Sequence, residues 1–228
     1  MKIVRVFKYF YFIMLLFFPW KIKRLIFINL FGYMLHPSAR IGLSWVFPKK
    51  LIMHRGAKIA HFNFFKPVDL VEIGEFSSIG SLNWITGFPY DLSFQHFSNE
   101  LDRRNQLIIG QHSHITSRHL IDCTNSVKIG NFSTIAGYRS QILTHSIDLE
   151  KSAQTTAPVK IGDYAFIGSQ SILLKGTSIP NYAVIGAGSL VNKSFSEEFA
   201  LYAGVPARKI KIIPSNWRYF KRKEGIVI

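Results

Sequence analysis

A chain of 228 residues that is 48% hydrophobic is long enough to bury a substantial core, which excludes the disordered class. Its single cysteine, Cys123, excludes an internal disulfide framework. The net charge of +15 gathers at the ends: residues 1–35 hold Lys2, Arg5, Lys8, Lys21, Lys23 and Arg24 with no acid, and residues 208–224 hold seven Lys or Arg against Glu224.

The first apolar run, "YFYFIMLLFFPW" (9–20), places twelve uncharged residues between Lys8 and Lys21. A spanning helix needs roughly 20 apolar residues, so this run is too short to cross a bilayer. No small-x-small cleavage site follows it, and Pro19 ends or kinks a helix there. The pattern predicts residues 1–36 as a membrane-associating helical segment in two interfacial pieces, 1–18 and 21–35. The second is amphipathic through Ile22, Leu25, Ile26, Leu30 and Tyr33. The expected partner is an anionic membrane surface, and the expected location is cytoplasmic, peripheral at the inner membrane. The alternative is packing of these pieces on the core or on a partner subunit. No helix-turn-helix, zinc or RNA-binding signature is present, so nucleic acid is not an expected partner.

From about residue 37 an aliphatic or aromatic residue returns every six positions, as in Ile161, Ile167, Leu173, Ile179, Ile185 and Val191, with a small residue four places later. Neither the 3.6-residue period of a helix nor the 2-residue period of a strand produces this. A chain that runs straight briefly, turns about 120° and does so three times per coil fits it, and the product is a triangular parallel β-helix. Three inward columns follow: Met53, Ile73, Ile109, Ile129, Ile161 and Ile179; then Ile41, Ile59, Ile79, Ile115, Ile135, Ile167 and Ile185; then Phe47, Phe65, Ile85, Ile121, Ile142, Leu173 and Val191. The solenoid is expected over 37–195, followed by a short basic C-terminal extension over 196–228.

Every sizeable excess over six residues falls between the third column and the first, so all insertions emerge along one edge. Repeat proteins gather loops on one face when that face binds something. The two longest insertions, about 86–108 and 143–160, lie two coils apart and bracket a groove about 10 Å tall. The upper one mixes Phe88, Tyr90, Phe94 and Phe97 with polar residues, a composition suited to stacking on sugar rings, and carries Arg103 and Arg104. Asp122 belongs to the same edge. Asn83, His119 and Arg139 fall where the column of small residues should continue. These four are the candidate substrate-binding residues, and the alternative for His119 and Arg139 is a ladder of polar side chains capping a solenoid corner.

The segment "PVKIGDYAFIGSQSILLKGTSIPNYAVIGAGSLVNKSF…LYAGVPARKI" (158–210) resembles the C-terminal half of the hexapeptide-repeat acyltransferases. The closest flavour is the sugar and polysaccharide O-acetyltransferases. The resemblance implies an all-β, left-handed parallel β-helix, an acetyl-CoA-dependent O-acyltransferase that takes acetyl-CoA as co-substrate and no metal, and a homotrimer with sites between subunits. The implied acceptor is a surface-polysaccharide sugar or its precursor. "THSID" is similar to the TH-x-x-D segment of the sugar acetyltransferases, which implies that His145 is the general base, with Asp148 or Glu150 holding its other nitrogen. An imidazole suits the removal of a proton from a sugar hydroxyl as it attacks a thioester. The resemblance also implies donor contacts at Ser169, Ala187, Asn192 and Lys193, with Arg208 toward the nucleotide end. The sequence after Lys193, "SFSEEF", departs from the family's usual proline or acid.

Two other classes compete. The fold also resembles that of the γ-type carbonic anhydrases, and His114 and His119 have their H-x4-H spacing, but no third ligand is correctly placed. A non-catalytic scaffold is the other. Within the acetyltransferase class, a small sugar or a xenobiotic is the alternative acceptor.

Overall fold

The computed structural model describes residues 14–15, 18–88, 95–97, 100, 102–225 and 227. The first interfacial piece falls mostly outside the described residues, as do Tyr90 and Phe94 of the upper loop. The rest is a triangular prism of parallel strands, each hydrogen-bonded to the equivalent strand of the coils above and below. Face A runs from Met34–Leu35 to Ser178–Ile179, face B from Arg40–Ile41 to Val184–Ile185, and face C from Trp45–Val46 to Leu190–Val191. Ile109 pairs with Ile129, Ile115 with Ile135 and Ile121 with Ile142, so each inward column lies in register along one face. These side chains are between 0 and 4% exposed, each contributing roughly 1.5–3 kcal/mol on burial.

One position departs from the sequence expectation. Val46, not Phe47, points inward on the first rung of face C. Phe47 turns below the prism instead, where it meets Phe27 and Phe31 at ring distances of 6.0 and 5.6 Å. Phe27 belongs to helix α1 (Trp20–Asn29), which Pro19 precedes. The helix buries Lys23 and Phe27; of the amphipathic face expected from the sequence, Ile22, Leu25 and Leu30 are exposed, Ile26 is half-buried and Tyr33 joins Phe27 in the core. No helix among the described residues is long and apolar enough to cross a membrane.

The edges are built from left-handed turns. On the A/B edge Phe76, His112, Phe132, Tyr164, Tyr182 and Phe199 all have positive φ, and their rings stack at 4.5 to 5.3 Å. Stacking offsets the cost of placing aromatic residues in that conformation. The expected extension over 196–228 begins as more of the prism. Ala200–Gly204 adds a parallel strand to face B, and Ala207–Ile212 folds back on it antiparallel. The chain then descends over face B, where the Tyr219 hydroxyl donates to the Ala165 carbonyl at 3.2 Å and the Arg222 guanidinium lies 3.8 Å from the Tyr219 ring centre. Around Thr134 and Phe166, face B is thereby covered by the chain itself, while Arg40 and Lys58 lower on it stay exposed.

Candidate active site

The lower insertion is not an irregular loop. His145–Asp148 and Ala153–Thr156 form an antiparallel hairpin in which His145 faces Thr156. A polar run between two strands of the repeat gave no alternation by which the hairpin was visible in the sequence. The upper insertion latches onto it: the Thr156 N–H and hydroxyl lie 3.2 and 3.0 Å from the two carboxylate oxygens of Glu100.

Between these insertions the imidazole of His145 is fixed from one side. Its Nδ1 lies 2.7 Å from Oδ2 of Asp122, whose side chain is 4% exposed against 31% for His145. The register of face C makes this contact, since pairing of Ile121 with Ile142 sets Asp122 beside the residues that lead into His145. Asp122 is saturated. Oδ1 accepts from the Thr124 N–H and hydroxyl at 3.0 and 2.6 Å, and Oδ2 from the Thr144 N–H and hydroxyl at 2.8 Å each. Burial alone would raise the Asp122 carboxyl, but hydrogen bonds from His145, Thr124 and Thr144, with the charge of His145, outweigh it and hold the group below the ordinary carboxylate range.

An ionised Asp122 keeps the His145 proton on Nδ1 and leaves the Nε2 lone pair free. Among the described residues Nε2 has no hydrogen-bond partner. Phe88 and Phe97 stand edge-to-face against the ring at 5.8 and 6.1 Å, which fixes its plane. Arg103, buried, is committed to holding the loop: it donates to the Phe88 and Thr124 carbonyls and lies 4.8 Å from the Phe97 ring centre.

The carboxylate on the imidazole is therefore Asp122, and not Asp148 or Glu150. Asp148 sits at the hairpin tip, accepting the Lys151 N–H at 3.1 Å with the Lys151 ammonium at 3.8 Å.

Asn83 and His119 are not available to substrate. They belong to a buried ladder inside the B/C edge, in which Asn63 Oδ1 accepts the Asn83 N–H, Asn83 Oδ1 the His119 N–H, and His119 Nδ1 the Ser140 N–H at 2.9, 2.9 and 3.1 Å. Ser140 fills the inward place expected for Arg139. The extra residue in this coil is absorbed at the turn, where Gly137 adopts φ +65°, and Arg139 is left exposed with φ +63°.

His119 is neutral for a geometric reason. Its Nδ1 accepts a backbone N–H, so Nε2 carries the proton and donates to Thr116 Oγ1 at 2.9 Å. Burial, only partly opposed by hydrogen bonds to Gly137 and Ser140, lowers its pKa from 6.5 to about 4. Between those values the unfolded chain binds the proton and the folded chain does not, so stability falls as pH drops through that window. At roughly 1.4 kcal/mol per pH unit the loss approaches about 3 kcal/mol. Substitution His119→Asn, matching Asn63 and Asn83 on neighbouring rungs, is expected to flatten the fall in melting temperature between pH 6.5 and 4.5. An unchanged slope would place the acid sensitivity elsewhere.

The donor candidates occupy two edges. Ser169, half-buried, and Ala187, exposed, follow face B at the B/C edge, where the Gly188 N–H donates to the Ser169 carbonyl at 2.8 Å. Arg208 is exposed on the strand that folds back over the last coil. Asn192 and Lys193 lie exposed at the C/A edge, in the second coil after that of His145.

No family model matches the chain. In sequence it is 28% identical over 153 residues to galactoside O-acetyltransferase of Escherichia coli, covering 65% of this chain and 70% of that protein. It is 22% identical over 147 residues to a probable acetyltransferase of Mycobacterium tuberculosis, covering 64% of this chain and 46% of that one, so it spans about half the length of the mycobacterial relative. In structure it superposes on the polySia-specific acetyltransferase NeuO with a TM-score of 0.59 at 20% identity, over 82% of this chain and 83% of that one. The chain has the left-handed β-helix fold of the hexapeptide-repeat acyltransferases. A variant of AntD, an N-acyltransferase from Bacillus cereus in complex with dTDP-4-amino-4,6-dideoxyglucose and coenzyme A, superposes with a TM-score of 0.56 at 18% identity, over 71% of this chain and 83% of that one.

His114 and His119 do not converge. His114 lies on face B with Nδ1 2.7 Å from the Ser78 hydroxyl, whereas both nitrogens of His119 are spent inside the B/C edge. Their spacing in sequence does not translate into a shared metal position.

Proposed function

We propose that the protein is an acetyl-CoA-dependent O-acetyltransferase whose acceptor is a saccharide hydroxyl of a surface polysaccharide or its precursor. The Asp122–His145 pair carries this reading: a buried, ionised carboxylate orients a partly exposed imidazole whose other nitrogen has no hydrogen-bond partner among the described residues. His145 Nε2 takes the hydroxyl proton as the oxygen attacks the thioester carbonyl. Asp122 stabilises the imidazolium that forms, and His145 returns the proton to the departing thiolate. Acetylated sugar and free coenzyme A are the products. Ser169, Ala187, Asn192, Lys193 and Arg208 are the proposed donor contacts. The named activities of galactoside O-acetyltransferase and of NeuO support the class. The test is transfer of labelled acetyl from acetyl-CoA to a panel of oligosaccharides; no transfer to any of them, with no binding of coenzyme A, overturns the proposal.

The proposed assembly is a homotrimer. Face A carries Glu72, Lys128 and Lys160 outward, and the C-terminal segment lies over part of face B, but face C turns Phe64, Trp84, Leu120, Ile172 and Leu190 outward. Phe64 and Trp84 are 37 and 55% exposed. An apolar face of this kind suits burial against copies of the chain. Face C is bounded by the B/C edge with Ser169 and Ala187 and by the C/A edge with His145. Threefold packing of face C would bring one chain's donor edge to the next chain's base.

Peripheral attachment to anionic lipid is proposed for residues 1–18. Because Phe27, Tyr33 and Leu35 belong to the core, the informative truncation removes only residues 1–18. The truncated protein is expected to stay folded and stop pelleting with anionic vesicles, and undiminished pelleting would refute the attachment.

A further inference from the structure

Arg118 and Arg139 occupy successive rungs of the B/C edge. Both are exposed, both adopt the left-handed conformation, with φ of +61° and +63°, and the Arg139 N–H donates to the Arg118 carbonyl at 3.0 Å. Their side chains therefore leave adjacent coils about 4.8 Å apart, where like charges repel. No carboxylate pairs with either guanidinium among the described residues. The same turn position on other coils of this edge holds Phe62, Leu82, Gln170 and Gly188, none of them charged. A doubled cation at this point costs stability, and no carboxylate among the described residues repays it.

Its height along the prism is informative. Pairing of Leu120 with Gln141 and of Ile121 with Ile142 puts Arg118 in the coil that delivers Asp122 and Arg139 in the coil that delivers His145. Ser169 and Ala187 lie in the next two coils on the other side. If face C is the surface shared between chains, edges at equal height meet, and Arg139 of one chain comes level with His145 of its neighbour. The two arginines then line the half of the groove away from the proposed donor contacts.

We infer that Arg118 and Arg139 form an anion site for the acceptor, and that the acceptor is an acidic saccharide whose carboxylate they hold across the subunit boundary while its hydroxyl faces His145 Nε2. This rests on the acetyltransferase and trimer readings above. The planar guanidinium fork matches a carboxylate in a way that a neutral sugar ring does not reproduce. Arg118 supplies the second donor set, and Arg139 alone would not discriminate as strongly.

The experiment uses the full chain and one oligosaccharide in two forms, with uronic-acid carboxylates intact or reduced to primary alcohols. Wild type is expected to show a KM for the acidic form at least about tenfold below that for the reduced form. In the Arg118→Gln, Arg139→Gln double variant the two values should converge, and the Kd for coenzyme A, measured by calorimetry, should stay within twofold. Glutamine is tolerated at this turn, since Gln170 occupies it one coil later. Equal KM values in wild type overturn the inference, as does a variant that loses coenzyme A affinity, which would assign the arginines to the donor's phosphates. Direct titration with the acidic oligosaccharide separates this inference from the function it rests on. Binding that is lost in the double variant supports the anion site even if acetyl transfer is never detected, and absence of binding to wild type overturns it.

Discussion

Replacing His145 with alanine is expected to lower kcat by about 10²–10⁴-fold, the usual contribution of a positioned general base. The Kd for coenzyme A should change little, because the proposed donor contacts are on other residues and other coils. The fold should also survive: His145 is 31% exposed and starts a hairpin whose hydrogen bonds are made by the backbone. Its one polar partner among the described residues, Asp122, keeps four hydrogen bonds from Thr124 and Thr144 when the imidazole is gone. The decisive measurement pairs turnover with calorimetric coenzyme A titration. A melting temperature near wild type with intact coenzyme A binding and turnover down at least a hundredfold assigns the base to His145. Near-normal turnover moves the proton transfer to another group, and His119 is a poor heir because both its nitrogens are already committed.

The prism was readable in the sequence because its physics is periodic. One inward residue per turn, with a small residue at the corner, repeats often enough that chance is remote, and the three columns map onto faces A, B and C with Phe47 as the exception. That exception arises at the first coil, where no coil lies below and a helix supplies the packing instead. The edge that carries the insertions was also readable, since every sizeable surplus over six falls between the third column and the first.

The partnerships within the site were harder to read, for two reasons. Asp122 lies 23 residues before His145, and only the coil-to-coil register brings them together, whereas Asp148 is close in sequence but belongs to a hairpin turn. One extra residue in the coil of His145 also shifted Arg139 out of the inward column and into the solvent, while Ser140 took its place. Counting by six places a residue on a rung but does not reveal where a left-handed glycine absorbs a surplus. Asn83 and His119 break the small-residue rule because the B/C edge contains a hydrogen-bonded ladder, and amide and imidazole acceptors satisfy backbone N–H groups there as serine does elsewhere.

The contrast between two aspartates tests the site most sharply. Asp122→Asn keeps the shape of the side chain but replaces a carboxylate oxygen with an amide that has protons of its own. At the Oδ2 position three donors converge: the Thr144 N–H, the Thr144 hydroxyl and His145 Nδ1. An amide NH₂ there meets donors with a donor. Relief comes when the imidazole accepts through Nδ1, which moves its proton to Nε2, the nitrogen that must be free to act as base. A fall in kcat of about 10²-fold or more is therefore expected, comparable with loss of the imidazole. Coenzyme A affinity should be preserved. A stability loss of about 1–3 kcal/mol should accompany it, since a buried ionised acceptor has been removed from a saturated network. Part of that stability is itself pH-dependent: the depressed carboxyl of Asp122 stabilises the fold above its unfolded pKa, and the contribution disappears as pH falls through the folded value. Asp148→Asn, by contrast, alters only a hairpin cap and a 3.8 Å contact with Lys151, so turnover should stay within about twofold. Turnover measured on both variants at neutral pH decides the matter, because equal losses, or a larger loss at Asp148, would remove Asp122 from the proton path.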